Sequence, residues 1–288
     1  MNVTIVIPAY NEEGTIGGTV AELKTLGKEY QILVVDDGSR DATAVRAREA
    51  GADVVRHPYN KGYGAALKTG IIEAAHDVIV TFDADAQYET RDVPRLLDQI
   101  SIYDMVVADR SGSRAASIRR MPGKWILAAV ANYLIGHRIP DLNSGFRCFH
   151  RENVRRFFQI LPNGFSFSTT ITLAYFKEGL SVGYIPCGVK ARDSGRSEVR
   201  YLRDGAQTLL LIARITALFN PLKIFAPVGL FLIGVGGLYG LYGVFTISHI
   251  QSGAVLAILS GILVILFGIL ADQIACIRRQ IGSTQGDR

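Results

Sequence analysis

The stretch VIVTFDADAQ, which runs from Val78 to Gln87, decides how the rest of the chain is interpreted. Its first half is apolar and rich in β-branched residues, which predicts a buried strand of a parallel sheet. Its second half carries two carboxylates, Asp83 and Asp85. Ligands of open α/β sheets bind beyond the carboxyl ends of the strands, so this pair stands where chemistry is expected. Two close carboxylates suit Mg²⁺ or Mn²⁺ and, through the metal, a diphosphate, although the same tripeptide also occurs in exposed turns.

Strand-and-helix units precede this strand along the chain. Each begins with an apolar, β-branched run and continues into a helix. Strands are predicted at residues 2–8, 31–35 and 53–56, with helices over 13–26, up to Ala50 and up to Ala75. A further strand is predicted at residues 104–109. This alternation predicts a doubly wound, mostly parallel sheet with right-handed crossovers.

The turns after the strands indicate which nucleotide such a sheet would bind. A dinucleotide-binding turn needs Gly-x-Gly-x-x-Gly directly after the first strand, but PAYNE at residues 8–12 is followed by its first glycine only at Gly14. A later GYGAAL segment lacks the third glycine, and no P-loop pattern occurs in the sequence. NAD and P-loop nucleotides are therefore disfavoured. A sugar nucleotide remains, with Tyr10 able to stack on a base and Asp37 or Glu12 able to accept hydrogen bonds from the ribose or base.

The C-terminal part of the chain is far more apolar than the rest. Overall, 49% of the 288 residues are hydrophobic, and the mean hydropathy is +0.23. Between Lys223 and Arg278 the only acidic or basic residue is Asp272. The apolar blocks at residues 224–246 and 253–277 are each about 35 Å long as helices, enough to cross a hydrocarbon core of about 30 Å. These blocks predict a two-helix transmembrane hairpin.

The distribution of basic residues predicts how the hairpin is oriented. The connector at residues 247–252 has no Lys or Arg, whereas Lys223 and the Arg278-Arg279 pair flank the two blocks. The positive-inside rule therefore predicts that both termini and the N-terminal region are cytoplasmic. The chain passes from Met1 straight into a predicted strand, so no signal peptide is expected, and its three cysteines lack metal-ligand spacing.

Four motifs occur together in this chain, namely VIPAYNE at residues 6–12, VVDDGS at 34–39, DADAQ at 83–87 and DLNSGFR at 141–147. In this order they resemble family 2 glycosyltransferases of the GT-A fold. More narrowly, they resemble the polyprenyl-phosphate, or dolichyl-phosphate-type, glycosyltransferases, in which a C-terminal membrane hairpin is common. The resemblance implies an α/β fold, with a GT-A Rossmann-like, mostly parallel sheet and a C-terminal two-helix transmembrane hairpin.

The expected organisation has three parts. Residues 1–199 would form the cytoplasmic catalytic domain, and residues 223–288 the two membrane helices with a short cytoplasmic tail. Residues 200–222 would form an amphipathic helix in the membrane interface, because apolar residues recur at helical spacing between Tyr201 and Phe219. A core helix packed on the sheet would show the same spacing. The small residues Gly236, Gly237 and Gly240 permit close contacts between helices and would allow the chain to form a homo-oligomer.

The resemblance also implies donor and metal ligands. Asp83, Asp85 and Gln87 would hold Mg²⁺ or Mn²⁺ against the donor diphosphate, with Asp85 favoured as a direct ligand. Asp37 is favoured over Asp36, since Asp36 can instead cap the following helix. The implied donor-binding residues are Pro8, Ala9, Tyr10, Glu12, Asp36, Asp37, Lys61 and Asp83.

An arginine-rich stretch is the candidate acceptor side. Residues 110–140 contain no acid, and runs of this kind are either solvated faces or anion sites. Beside a membrane they would attract anionic headgroups, and arginine forks match phosphate oxygens. A second run of basic residues departs from the family pattern at Glu198, so the resemblance implies no role for Glu198. The implied acceptor-phosphate residues are Arg110, Arg119, Arg120, Ser144, Arg147, Arg192 and Arg196.

The resemblance implies inverting, metal-dependent transfer of a hexose from a UDP- or GDP-linked donor to a polyprenyl (undecaprenyl or dolichyl) phosphate. The catalytic candidates are Asp85, Arg110 and Asp141, the last as a group that orients the acceptor. Two alternatives remain open, a glycolipid or growing-glycan acceptor and a non-catalytic membrane scaffold. Processive synthases usually carry Gln-x-x-Arg-Trp, which is absent because Trp125 is the only tryptophan and lies in GKW. No nucleic-acid partner is expected.

Overall fold

The computed structural model describes residues 2–27, 29–85, 87–110, 136, 139–141, 144–164, 166–188, 221–247, 249 and 251–286. The chain divides into two units. The first consists of residues 1–124 and 137–199, and the second of residues 125–136 and 200–288. The predicted three-part division at 199 and 222 stays a prediction.

The first unit is built on a seven-stranded sheet with the order β3-β2-β1-β4-β6-β5-β7. Its strands are β1 Val3–Ala9, β2 Tyr30–Asp36, β3 Asp53–Arg56, β4 Val78–Thr81, β5 Met105–Asp109, β6 Arg147–His150 and β7 Val182–Pro186. Its helices are α1 Ile16–Lys24, α2 Thr43–Glu49, α3 Tyr63–Glu73, α4 Asp92–Leu97, α5 Arg151–Arg155 and α6 Phe167–Lys177.

The N-terminal half of the sheet confirms the predicted parallel alternation. β1 pairs in parallel with β2 on one side and with β4 on the other. All residues of β1 and β4 are buried, as expected for strands covered by helices on both faces. This arrangement brings the turns after β1, β2 and β4 to one edge of the sheet, which we call the carboxyl edge.

Strand β6 is antiparallel and was not predicted. It is inserted between β4 and β5, and Arg147 stands opposite Thr81 of β4 and Val107 of β5. Because β6 runs the other way, it begins where β4 and β5 end. The residues just before it, Ser144 and Gly145, therefore lie at the carboxyl edge beside the end of β4. β7, which pairs in parallel with β5, was not predicted either.

The second unit contains the predicted hairpin, formed by α7 Leu222–Ile247 and α8 Ser252–Gly286. Its candidate membrane spans are Leu222–Thr246 and Ser252–Ile277, and most of their side chains are exposed, as lipid-facing helices require. The two backbones approach closely, since a Cβ built on Gly229 would lie 2.6 Å from the carbonyl oxygen of Gly261. Most of the predicted amphipathic helix lies outside the described residues.

Candidate functional site

The loops that follow β1 and β2 are tied into one surface at the carboxyl edge. The Asn11 amide donates to Ser39 Oγ at 2.9 Å, and the Arg40 amide donates to Asn11 Oδ1 at 3.0 Å. Asn11 has a φ of 55°, a left-handed conformation that asparagine tolerates better than most residues. The Glu12 amide donates to Thr43 Oγ1 at 2.8 Å. The two segments predicted to bind the donor, PAYNE and DDGS, are therefore held together.

A cavity of about 580 Å³ opens between these loops and the segment after β3. Tyr10 is 42% exposed and Tyr59 is 65% exposed, so two aromatic rings are available at its wall. Flat apolar rings beside polar groups suit a nucleobase and its ribose. The cavity is lined by Tyr10, Gly38, Ser39, Arg40, Arg56, His57, Pro58, Tyr59 and Asn60.

Asp36 lies beneath this cavity rather than in its wall. Its side chain is fully buried, Oδ1 accepts a hydrogen bond from the Ser39 amide at 2.9 Å, and Oδ2 pairs with Arg56 Nε at 3.0 Å. Oδ2 is close to Arg56 but has no hydrogen-bond partner among the described residues, so Asp36 mainly shapes the turn after β2 through Oδ1. The following helix α2 has Ala42 at its N-cap, so Asp36 does not cap it, and its contact with the donor stays a prediction.

Asp37 is also buried, at 3% exposure, and it organises the segment after β3. Its Oδ1 accepts from the Lys61 amide at 2.9 Å and lies 2.6 Å from Nδ1 of His57, while Oδ2 accepts from the Gly62 amide at 2.8 Å. The other ring nitrogen of His57 lies 2.9 Å from Thr69 Oγ1. Asp37 thus fixes the wall of the cavity from behind. Its direct contact with the donor stays a prediction.

The remaining residues that were predicted to bind the donor are Pro8, Ala9, Lys61 and Glu12. Pro8 and Ala9 end the buried strand β1, and the Ala9 carbonyl accepts a hydrogen bond from the Asp37 amide at 2.8 Å. Lys61 is exposed, with its ammonium 5.9 Å from the centre of the Tyr59 ring. The carboxylate of Glu12 accepts a hydrogen bond from Thr15 at 2.9 Å.

Asp83 and Asp85 follow β4 at the carboxyl edge, as predicted. The Tyr63 hydroxyl donates to Asp83 Oδ1 at 3.2 Å, and the Gln87 amide donates to Asp85 Oδ1 at 3.3 Å. Burial raises the pKa of Asp83 to about 6, and the nearby charge of Asp85 adds to this, while the Tyr63 hydrogen bond and two arginines oppose it. A carboxylate pair in such surroundings is stabilised by a cation.

The donor set fits a hard divalent cation. No group of three His, Cys, Asp or Glu side chains suited to a metal occurs among the residues that the structure describes. Mg²⁺ nevertheless binds in many proteins through one or two carboxylates, with water and substrate phosphates completing its shell. Asp83 and Asp85 would supply those carboxylates. A role for the Gln87 side chain stays a prediction.

Arg110, Asp141 and Ser144, all predicted on the acceptor side, come together beside this pair. Arg110 Nε and Nη2 donate to Asp141 Oδ2 and Oδ1 at 2.6 and 3.0 Å, which is a bidentate pair. The hydrogen bond to Asp141 raises the pKa of Arg110. The Ser144 amide donates to Asp141 Oδ1 at 3.1 Å, and the Ser144 hydroxyl lies 2.9 Å from that of Tyr88. An ion pair between Arg110 and Asp141 therefore lies at the carboxyl edge, and the Ser144 amide holds the carboxylate in place.

Arg147 does not fit its predicted contact with the acceptor phosphate. It is 1% exposed, and its Nε donates to the Ser144 carbonyl at 2.7 Å. Its Nη1 donates to Thr172 Oγ1 at 2.5 Å. Arg147 thus supports the Ser144–Gly145 turn from inside the protein. The other predicted acceptor arginines, Arg119, Arg120, Arg192 and Arg196, lie outside the described residues.

Three residues of the site were missed from the sequence, namely Tyr63, Gly145 and His57. A Cβ built on Gly145 would lie 2.5 Å from Oδ2 of Asp83 and 2.6 Å from the Tyr63 hydroxyl, so only glycine fits there. Gly145 is part of the SGFR motif. The contact between Gly145 and Asp83 could not be predicted without knowing that β6 is antiparallel and begins beside the end of β4.

Comparisons with known proteins agree with this architecture. The family described as Glycosyl transferase family 2 matches residues 4–162, and the GtrB C-terminal hairpin matches residues 220–277. The solved structure of glucosyl-3-phosphoglycerate synthase from Mycobacterium tuberculosis with Mn²⁺, UDP and phosphoglyceric acid is 23% identical, with a TM-score of 0.60 over 74% of this chain and 78% of that one. At this identity the likeness concerns the fold.

Two curated relatives cover most of the chain. The undecaprenyl-phosphate 4-deoxy-4-formamido-L-arabinose transferase of Pseudomonas fluorescens (strain SBW25) is 32% identical over 82% of this chain and 71% of its own length. The glycosyltransferase AglJ of Haloferax volcanii is 29% identical over 96% of this chain and 95% of its own. With the match to residues 4–162 and these relatives, the chain belongs to glycosyl transferase family 2.

Proposed function

We propose that this glycosyltransferase moves a sugar from a UDP- or GDP-linked donor to a polyprenyl phosphate, with Mg²⁺ or Mn²⁺ bound at Asp83 and Asp85. The observation that carries the proposal is the position of the Arg110–Asp141 pair next to the two carboxylates. The positive charge of Arg110 acts on Asp83 directly and lowers its pKa, which opposes the effect of burial. A metal–diphosphate site and a phosphate-binding arginine thus share the carboxyl edge.

The base of the donor would occupy the cavity, and its diphosphate would bind at the metal site along the same edge of the sheet. Tyr10 and Tyr59 offer rings for the base, and Asp37 and His57 hold the wall behind it. A bound metal would neutralise the charge that develops on the departing nucleoside diphosphate. A solved structure of the same fold holds UDP together with Mn²⁺, which supports a nucleoside diphosphate and a divalent cation as ligands.

The acceptor would be a lipid phosphate held by Arg110. A phosphate monoester is already anionic at neutral pH, so its oxygen needs no general base to attack the anomeric carbon. Positioning and charge stabilisation would then account for most of the catalysis. A single in-line displacement would invert the anomeric centre. The undecaprenyl-phosphate relative and the hairpin support this acceptor over a sugar hydroxyl.

The membrane hairpin would keep the enzyme at its lipid substrate. Lys223 and the Arg278-Arg279 pair flank the spans, which supports a cytoplasmic active site and cytoplasmic termini. Cysteine-scanning of the 247–252 connector with a membrane-impermeant thiol reagent in whole cells tests this topology. Labelling of the connector from outside is expected, and labelling only after lysis would contradict it.

A donor and acceptor screen tests the proposed function. The full-length protein in lipid nanodiscs is incubated with a panel of UDP- and GDP-sugars and with undecaprenyl or dolichyl phosphate, and the products are identified by mass. A polyprenyl-phosphate sugar that forms only with added Mg²⁺ or Mn²⁺ is expected. A product formed only on a glycolipid or glycan acceptor would support the alternative enzyme, and no turnover with any donor would favour the scaffold.

Replacing Arg110 by alanine is expected to raise the KM for the lipid phosphate by about tenfold or more, with little change in the KM for the donor. The reason is that the Arg110 guanidinium lies beside Asp141 and Ser144 on the proposed acceptor side, and it acts on Asp83 only through its charge. Arg110→Lys keeps the charge without the fork and is expected to be intermediate. Steady-state kinetics with each substrate varied in turn provide the measurement.

The matched control is Arg156→Ala, since Arg156 is an exposed arginine that pairs with Glu152 at 3.4 Å on the surface. It is expected to leave both KM values unchanged. Equal increases in both KM values for Arg110→Ala would indicate that Arg110 binds the donor or only supports Asp141.

A further inference from the structure

Asp83 is held by groups that belong to neither the donor cavity nor the acceptor cluster. Its Oδ1 accepts a hydrogen bond from Tyr63 at 3.2 Å, and Gly145 packs against its carboxylate without room for a side chain. Two contacts of this kind fix the direction in which a half-buried carboxylate points.

Tyr63 is the first residue of α3, and this end of the helix packs against the segment at residues 161–164. The Ala65 amide donates to the Asn163 carbonyl at 3.1 Å, and Lys68 Nζ donates to the Leu161 carbonyl at 2.6 Å. A Cβ on Gly62 would lie 2.5 Å from the same Asn163 carbonyl oxygen. The start of α3 is thus fastened to the segment that leads into α6.

The Tyr63 hydroxyl also lies against α6. The side chain of Ser168, which is buried in the first turn of that helix, is close enough to the Tyr63 hydroxyl to lower its pKa against the larger, opposite effect of burial. Four residues further along α6, Thr172 accepts the hydrogen bond from Arg147. One helix face therefore supports both Asp83 and the turn that packs against it.

We propose that Tyr63 is a positioning residue that orients Asp83 for the divalent cation and that takes its own position from Ser168 of α6. The proposal rests on the proposed metal site. A carboxylate that accepts a hydrogen bond through one oxygen presents the other in a defined direction. Residues that orient metal ligands in this way typically contribute 10- to 100-fold to metal affinity or activity.

Tyr63→Phe tests the proposal, because it removes the hydroxyl and keeps the buried ring. With the full chain in nanodiscs, Mn²⁺ binding in the presence of UDP is measured by electron paramagnetic resonance, which needs no turnover. An affinity about tenfold weaker than that of the wild type is expected. Kinetics should show the same increase in the Mn²⁺ requirement, without a change in the KM for the lipid phosphate.

Tyr175→Phe is the matched control on α6. Tyr175 is fully buried, and its hydroxyl has no hydrogen-bond partner among the described residues. This variant should bind Mn²⁺ like the wild type. If thermal unfolding shows that Tyr63→Phe does not fold, Ser168→Ala is measured instead. This variant leaves Tyr63 and Asp83 intact and should also weaken Mn²⁺ binding.

Unchanged Mn²⁺ affinity in a folded Tyr63→Phe protein would overturn the positioning role while leaving the metal site in place. An equal loss in Tyr175→Phe would also overturn it, because the effect would then come from general loosening of α6. A wild-type protein that bound no Mn²⁺ would overturn the metal site and this proposal together.

Discussion

Replacing Asp85 by alanine is expected to reduce sugar transfer by about 10³-fold while leaving the protein folded. Asp85 is half-buried at the carboxyl edge, and its described hydrogen bond is to the amide of Gln87, two residues away. Its loss should therefore affect the cation and the donor diphosphate more than the sheet. Removing it also removes one of the charges that raise the pKa of Asp83. Transfer of radiolabelled sugar to lipid phosphate is the measurement.

Asp98→Ala is the control for this experiment, because Asp98 is an exposed carboxylate at the end of α4. It should retain wild-type transfer. Thermal unfolding of both variants separates a lost ligand from a lost fold. Full activity in Asp85→Ala would contradict the metal assignment, and activity without any added divalent cation in the wild type would do the same.

Gly145→Ala is expected to lower transfer by about 10²-fold, because displacements near 1 Å at a reacting centre have effects of this size. The new methyl group would meet the Asp83 carboxylate and, at 2.6 Å, the Tyr63 hydroxyl. Tyr63 resists displacement, since it is fixed at the start of α3. Asp83 would have to rotate, and the metal and donor would lose their alignment.

Gly164→Ala provides the comparison for this variant. A Cβ on Gly164 would meet nothing within 4 Å, although the residue lies in the segment that contacts α3. It should transfer sugar like the wild type. Gly145→Ala is measured by kcat and by the KM for Mn²⁺, and a protein with normal values for both would show that the carboxylate does not need its observed orientation.

The sequence predicted the half of the fold that depends on local pattern. The apolar, β-branched runs identified β1 to β5, and the two long apolar blocks, in which Asp272 is the only charged residue, identified α7 and α8. Burial on both faces and membrane spanning each leave a continuous apolar signal. The short strand β6 carries no such signal. Only its first residue, Arg147, belongs to the DLNSGFR motif, and only pairing with β4 and β5 makes RCFH a strand.

The same limit applies to the site. Residue type and motif position suggested that Asp36 and Arg147 contact substrates, whereas their burial and internal partners are tertiary facts. Asp83, Asp85 and Arg110 were predicted to share a site, and the structure brings them together at one edge. Tyr63 was missed because its relation to Asp83 spans 20 residues of sequence and no motif.

The antiparallel direction of β6 has a consequence for the segment between β5 and β6. β5 ends at Asp109 and β6 begins at Arg147, and their pairing puts both ends of the intervening segment at the same edge of the sheet. When the two ends of a flexible loop are held side by side, its length can change at little cost in stability. Each doubling of the loop length costs only about 0.6 kcal/mol in closure entropy. The length of this segment can therefore be changed in chimeras without altering how β5 pairs with β6.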